Sequence, residues 1–415
     1  MTYKGKPPER CSFCGKDSRH IRKLFSGHDA YICDECVDLT YELLQDDIPT
    51  KAPLPPLKLF KPKETKAFLD QYVIGQEQAK KTLSVAVYNH YQRLFHPEAM
   101  ADVELEKSNI LLLGATGTGK TLLARTLARM LSVPFCITDA TVLTEAGYVG
   151  EDVENILVKL YHAADYNKDR TETGIIFVDE LDKLSRRSAN PSITRDVSGE
   201  GVQQGLLKIL EGTVSSIPPK GGRKHPEQPL VPINTSNILF ICGGAFNGLE
   251  EIIMRRIGRK RLGFGVDHRA LEFKDSGEIF KHVEPPDLLE YGLIPELVGR
   301  LPVITALGEL SDEAMLRILT EPKNSLVKQY QKMFALEGIE LEFTPEALTA
   351  VVDLARKRKT GARALRSIFE EKMLDIMYDA PSYRNVAGIT ITADIITADA
   401  APIIKRAAKG KRQSA

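Results

Sequence analysis

Residues 114 to 121 read Gly-Ala-Thr-Gly-Thr-Gly-Lys-Thr, after the apolar run Asn109 to Leu113 and before LLARTLARML. The pattern G-x-x-x-x-G-K-[ST] between a strand and a helix is a phosphate loop, and it commits this region to a strand–loop–helix unit. Gly114, Gly117 and Gly119 let the backbone wrap an anion. With Ala115, Thr116, Thr118 and Leu122 they form a cradle of N–H groups at a helix N-terminus. Lys120 is placed to reach the outer phosphates and Thr121 to bind Mg2+.

A second motif turns phosphate binding into hydrolysis. Gly174-Ile-Ile-Phe-Val-Asp179-Glu180 is an apolar strand ending in two acids. Asp179 is predicted to position the magnesium ion, and Glu180 to orient and deprotonate water for attack on the terminal phosphate. Asp182, in the same stretch, is read as structural.

Composition narrows the class. The 415 residues carry 56 acids and 56 Lys or Arg, so no overall positive field favours nucleic acid or membrane surfaces. No run of about 20 apolar residues is present, and MTYKGKPPERCSFC lacks the apolar centre of a signal peptide. A cytoplasmic location follows as an expectation, with reduced thiols.

There, Cys11, Cys14, Cys33 and Cys36 read as C-x2-C-x18-C-x2-C, two knuckles that complete a closed four-sulfur shell for one structural Zn2+. A piece this small cannot stabilise itself by burial, so metal and fold are expected together. His20 and His28 are surplus to the shell. Nucleic acid, protein and self-association remain open as roles for the module, its mixed charges favouring protein. Cys136 and Cys242 stand in apolar runs and read as core.

The expected organisation is a zinc-binding domain at 1–46, a proline-rich linker at 47–63, and a large domain at 64–310. A small, mostly helical domain at 311–402 and a basic tail at 403–415 follow. NILLLG, GIIFVDE, NILFICGG and LPVITAL alternate with helical stretches, which predicts an α/β fold with a mainly parallel sheet covered on both faces. From residue 311 the spacing turns helical, and Ser or Thr stands at each helix start.

The phosphate loop and the Asp-Glu strand end together resemble the AAA+ ATPases, and further stretches resemble the ClpX family of that class over essentially the whole chain. AGYVGEDVEN is similar to that family's axial pore loop, which makes Tyr148 and Val149 the substrate grip. GGRKHPEQP resembles its charged loop at the pore mouth, here Arg223, Lys224 and His225, and SITRDVSGEGVQQGLLKILEGT its second pore loop and following helix. RKRLGFG, with Leu262, Gly263 and Phe264, falls where the family carries its I-G-F loop for docking on the ClpP peptidase ring.

The resemblance implies that Arg300 is an arginine finger reaching a neighbour's ATP and Arg363 a sensor arginine. It also implies that Val73 and Ile74 contact the adenine. The implied protein is a homohexameric unfoldase that recognises tagged or unfolded substrates, directly or through adaptors, and threads them into ClpP. Self-association of the zinc domain is among the expectations, and neither membrane nor nucleic acid is an expected partner. The sequence departs from the pattern at Ala115, where the family generally has proline, and at Pro229 and Asn234, commonly acidic. Gly243 and Gly244 stand where many AAA+ proteins place a first polar sensor.

No G-x-S-x-G or H-E-x-x-H occurs, so proteolysis is expected from a separate subunit. A protease-independent remodelling chaperone and a nucleic-acid-dependent ATPase are the competing readings.

Overall fold

The computed structural model describes residues 10–27, 30–47, 58–96, 107–144, 151–185, 199–218, 230–260, 276–358, 361–383, 385–398 and 400–406. Contacts divide the chain into two units, Met1–Leu57 and Lys58–Ala415.

The first unit is a short antiparallel hairpin, Leu24–Ser26 with Tyr31–Cys33, followed by the helix Asp34–Asp47. Its core is Cys11, Cys33 and Cys36, with Ile21, Leu24 and Ile32 packed against them. Among the described residues the cysteines are thus the centre of the unit.

In the second unit five parallel strands lie in the order Val303–Ala306, Ile110–Leu113, Leu239–Gly244, Ile175–Asp179 and Phe135–Asp139. Side chains alternate between faces along a strand. Leu111, Leu113, Ile176, Val178, Phe240 and Cys242 therefore join one core, with residues of the helices Asn155–Ala163, Glu200–Glu211 and Leu249–Lys260. The alternate residues Ile110, Leu112, Ile175, Phe177, Leu239 and Ile241 are also fully buried. Helices Glu77–Phe95 and Lys120–Leu131 pack on the sheet without joining the first core, so both faces are covered as expected.

Phe135–Asp139 is a strand that the apolar-run reading misses. It is an edge strand, so only every second residue is buried and no continuous apolar run marks it. A second antiparallel pair, Val214–Ile217 with Val231–Asn234, brackets in sequence the stretch that carries Arg223, Lys224 and His225.

A separate core gathers Met315, Leu319, Phe334, Val351, Leu365, Phe369 and Ile389 among others. Its helices start as their sequences indicate: Ser311 Oγ accepts from Ala314 N at 3.1 Å, and Thr344 Oγ1 from Ala347 N at 3.2 Å. The region is not only helical. Val386–Ile391 runs parallel to Glu340–Phe343 and antiparallel to Ile403–Arg406. The first residues of the stretch read as basic tail thus form an edge strand, with exposed side chains and Lys405 paired to Glu342 at 2.5 Å. At the other end, the helix Pro62–Asp70 begins within the stretch read as linker, because proline is well suited to a first helical turn.

Candidate functional site

Gly114 and Gly119 have left-handed backbones, at φ 153° and 104°. At Gly114 a side chain is also sterically excluded, since a Cβ would stand 2.8 Å from Leu307 O. The loop thus leaves its strand in a form only glycine supplies easily, and Gly119 starts the helix Lys120–Leu131.

Lys120 is buried, and its Nζ donates to Gly114 O at 2.6 Å and Ala115 O at 3.1 Å. Burial lowers its pKa, against the opposing pull of Asp179 and Asp182. Among the described residues its hydrogen bonds go to two carbonyl oxygens, an arrangement in which an ammonium can take a phosphate as its negative partner. Thr118 Oγ1 donates to Ala115 O at 2.9 Å, closing the turn.

Thr121 Oγ1 donates to Asp179 Oδ2 at 3.1 Å. A hydroxyl and a carboxylate meeting at a phosphate loop are hard oxygen donors suited to Mg2+. Glu180 is exposed and left-handed at φ 57°, with its N–H donating to Asp179 Oδ1 at 3.0 Å. Such a backbone costs on the order of 1–3 kcal/mol for a residue other than glycine, a strain typical of functional positions.

These groups line one cavity of about 400 Å³, with Thr116, Gly117, Gly119, Lys120, Thr121, Leu122, Asp179, Glu180 and Arg363 all at its wall. Arg363 arrives from the C-terminal helix Ala362–Asp379 because Gly361 packs on the loop, where a Cβ would lie 3.1 Å from Thr116 O. Val73 and Ile74 line a different cavity of about 520 Å³ with Asp70, Lys80 and Arg317. Gln76 connects the loop to the end of the sheet. Its amide donates to Thr118 O at 3.4 Å and Gly308 O at 2.8 Å, and accepts from Gly308 N at 2.9 Å.

Arg300 is not part of this constellation. Asn109 Nδ2 donates to Arg300 O at 2.9 Å, so the arginine sits where the phosphate-loop strand begins, whereas the loop sits where it ends. Asn109 and Gly114, on either side of the strand Ile110–Leu113, are five residues apart along the chain, about 16 Å when extended. Tyr148, Val149, Arg223, Lys224, His225, Leu262, Gly263 and Phe264 lie outside the described residues, as does His28.

Gly243 and Gly244 are glycines for a steric reason. A Cβ on Gly243 would meet Phe177 Cζ at 2.9 Å, and one on Gly244 would meet Asp182 Oδ1 at 2.6 Å. There is no room for a polar side chain at that strand end. Asp182 is buried, and its Oδ1 accepts from Ala245 N at 3.1 Å, consistent with a structural role. Sequence reasoning passed over Asn247 and Arg366, which also line the cavity. Asn247 had a faint signal as a polar residue just past the strand. Arg366 had one as the position a helical turn beyond Arg363.

In the first unit the sulfurs of Cys11, Cys14, Cys33 and Cys36 all lie within 4.8 Å of one another, and His20 is outside the group. Four sulfurs at about 2.3 Å from a tetrahedral zinc are about 3.8 Å apart, and Cys14 Sγ to Cys33 Sγ measures 3.7 Å. Burial pushes the Cys36 thiol up to about 12 and raises Cys33 as well. Burial also pushes on Cys11, but backbone N–H groups of Cys14, Cys33 and Phe13 outweigh it and hold that thiol at about 6. Placing several thiolates here calls for a cation at their centre, which fits Zn2+. Cys136 and Cys242 are buried thiols pushed up to about 12 by desolvation, consistent with inert core residues.

Fold and site together define a P-loop ATPase of the AAA class. A family model described as AAA domain (Cdc48 subfamily) matches residues 105–304, and one described as the C-terminal, D2-small domain of ClpB protein matches 310–393. The ClpX C4-type zinc finger matches residues 9–46. The chain is 53% identical over 382 residues to the ATP-dependent Clp protease ATP-binding subunit ClpX of Bacteroides fragilis, covering 90% of this chain and 91% of that protein. It is 53% identical over 385 residues to the protein of the same name from Bacteroides thetaiotaomicron, covering 91% and 92%. The chain belongs to the ClpX family of ATPases, with ATP, Mg2+ and structural Zn2+ as its cofactors. No described helix is long and apolar enough to cross a membrane.

Proposed function

We propose that this chain is the ATP-driven unfoldase and translocase of a two-part cytoplasmic protease, recognising protein substrates and threading them through a homohexameric pore into a ClpP peptidase ring. The names of its relatives, ATP-binding subunits of an ATP-dependent Clp protease, support the partnership. The observation that carries the ring is the position of Arg300. A guanidinium at the far end of the strand from its own phosphate loop has no path to its own nucleotide, so a catalytic role for it requires a neighbour.

Within one site, Lys120 and the loop N–H groups bind the β- and γ-phosphates, and Glu180 takes the proton from the attacking water. Thr121 and Asp179 hold Mg2+, which neutralises charge on the phosphates when bound. Arg363 reports the γ-phosphate to the C-terminal region, and the separate cavity that Val73 and Ile74 line receives the adenine. Tyr148 and Val149 grip the substrate, while Arg223, Lys224 and His225 receive it. Leu262, Gly263 and Phe264 dock on ClpP through several weak anchors acting together. The zinc module serves self-association or adaptor capture.

The test is ATP-dependent unfolding of a stably folded, tagged substrate, with and without a ClpP ring. Unfolding in both cases and cleavage only with ClpP is expected. Phe264→Ala should then abolish cleavage and spare unfolding. Hydrolysis of ATP without unfolding of any such substrate would sink the reading, and cleavage undiminished by Phe264→Ala would sink the docking role.

A further inference from the structure

Arg300 is already engaged within its own subunit. Its Nε and Nη2 both lie 3.1 Å from Glu211 Oε1. Glu211 is the last residue of the helix Glu200–Glu211. Most exposed ion pairs contribute little, because two long side chains must be ordered to form them. Here the backbones on both sides are pinned by one buried amide: Asn109 Nδ2 donates to Arg300 O at 2.9 Å and to Leu210 O at 3.3 Å. Asn109 directly precedes the phosphate-loop strand Ile110–Leu113. The finger, the end of the helix and the start of that strand therefore meet at one junction.

A guanidinium presents a rigid planar fork, and the Nε–Nη2 edge that suits a carboxylate also suits a phosphate. The edge cannot serve both fully at once. We propose that Glu211 is a positioning residue, a latch in cis that holds Arg300 until the γ-phosphate bound by the neighbouring subunit displaces it. The proposal rests on reading Arg300 as the finger. Finger engagement then frees the Glu211 side chain at the end of Glu200–Glu211, so a neighbour's nucleotide state reaches this helix terminus by exchange of one ion pair.

Glu211→Gln keeps the size and removes the charge. Half-saturating ATP for hydrolysis should fall about two- to five-fold, the scale of an exposed ion pair, with kcat and melting temperature little changed. An unchanged or raised half-saturation overturns the latch. In an Arg300→Ala background, the ATP concentration at which the ring assembles should no longer respond to Glu211→Gln; a persisting shift means that Glu211 acts through another group and overturns the latch as well. The finger reading fails separately, and the latch with it, if Arg300→Ala alone hydrolyses ATP at the wild-type rate. Loss of hydrolysis in Arg300→Ala together with no effect of Glu211→Gln leaves the finger standing and removes only the latch.

Discussion

The zinc module and the nucleotide site solve ligand binding in opposite ways. In the module the ligand residues are the core, since Cys11, Cys33 and Cys36 are its buried centre. In the ATPase unit the ligand residues sit on loops at the ends of strands whose own side chains are buried in a large core. The difference shows what each ligand can change. Zinc is expected to decide whether its module folds at all, whereas the nucleotide site sits on a scaffold with a large core of its own.

Metal removal is the strongest way to break that contrast. A chelator, or Cys33→Ser, should unfold residues 11–47 completely, because zinc binding to such modules is worth about 10–16 kcal/mol near neutral pH. Limited proteolysis should then cut the module while the ATPase unit keeps its melting temperature. Shared melting of both units would contradict their independence.

On the other side, Glu180→Gln should retain ATP while hydrolysis falls by on the order of 10²–10⁴-fold, the range of a general base. Nucleotide binding and turnover measured on the same preparation check this. A normal turnover rate would remove Glu180 from its assigned role. Lys120→Ala should instead lose nucleotide binding itself.

Gly244→Ala asks how rigid the scaffold under the site is. The added carbon would lie 2.6 Å from Asp182 Oδ1 and from the Phe246 ring. Overpacking of this kind costs about 1–3 kcal/mol, to be read from the urea midpoint. An unperturbed midpoint would show that the strand end relaxes freely.

The last effect concerns acid. His90 is buried, with Nε2 3.0 Å from Asn237 O and no partner for Nδ1 among the described residues. Burial, then the nearby Arg93 and Lys107, hold its pKa down to about 3 from 6.5. The unfolded chain therefore takes up this proton first as pH falls, and stability from this group is present above pH 6.5 and lost from there toward 3. The slope approaches about 1.4 kcal/mol per pH unit. Urea midpoints at neutral pH and near pH 5 should diverge in the wild type and less so in His90→Gln. Equal divergence would assign the acid sensitivity to other groups.

Much of this arrangement is legible in the sequence because it depends on local spacing. The phosphate loop, the acidic strand end and the two cysteine knuckles are short patterns whose residue types the chemistry dictates. Buried central strands also announce themselves as apolar runs. Phe135–Asp139, Glu340–Phe343 and Ile403–Arg406 do not, because edge or short strands bury one side chain in two at most. Asn247 and Arg366 stayed hidden because their membership of the cavity depends on how distant segments fold together.

The sequence by itself determined the ligand chemistry: four thiols for a soft cation, and a glycine-rich loop with a lysine and two acids for a nucleotide. Only the tertiary structure decided that Arg363 faces its own subunit's cavity while Arg300 packs at the opposite end of the phosphate-loop strand, held by Glu211. It also decided that Gly243 and Gly244 leave no space for a sensor side chain. The physical reason is the same throughout. Local spacing specifies which atoms a short segment can present, but distances between segments are set by the packing of the sheet and its helices.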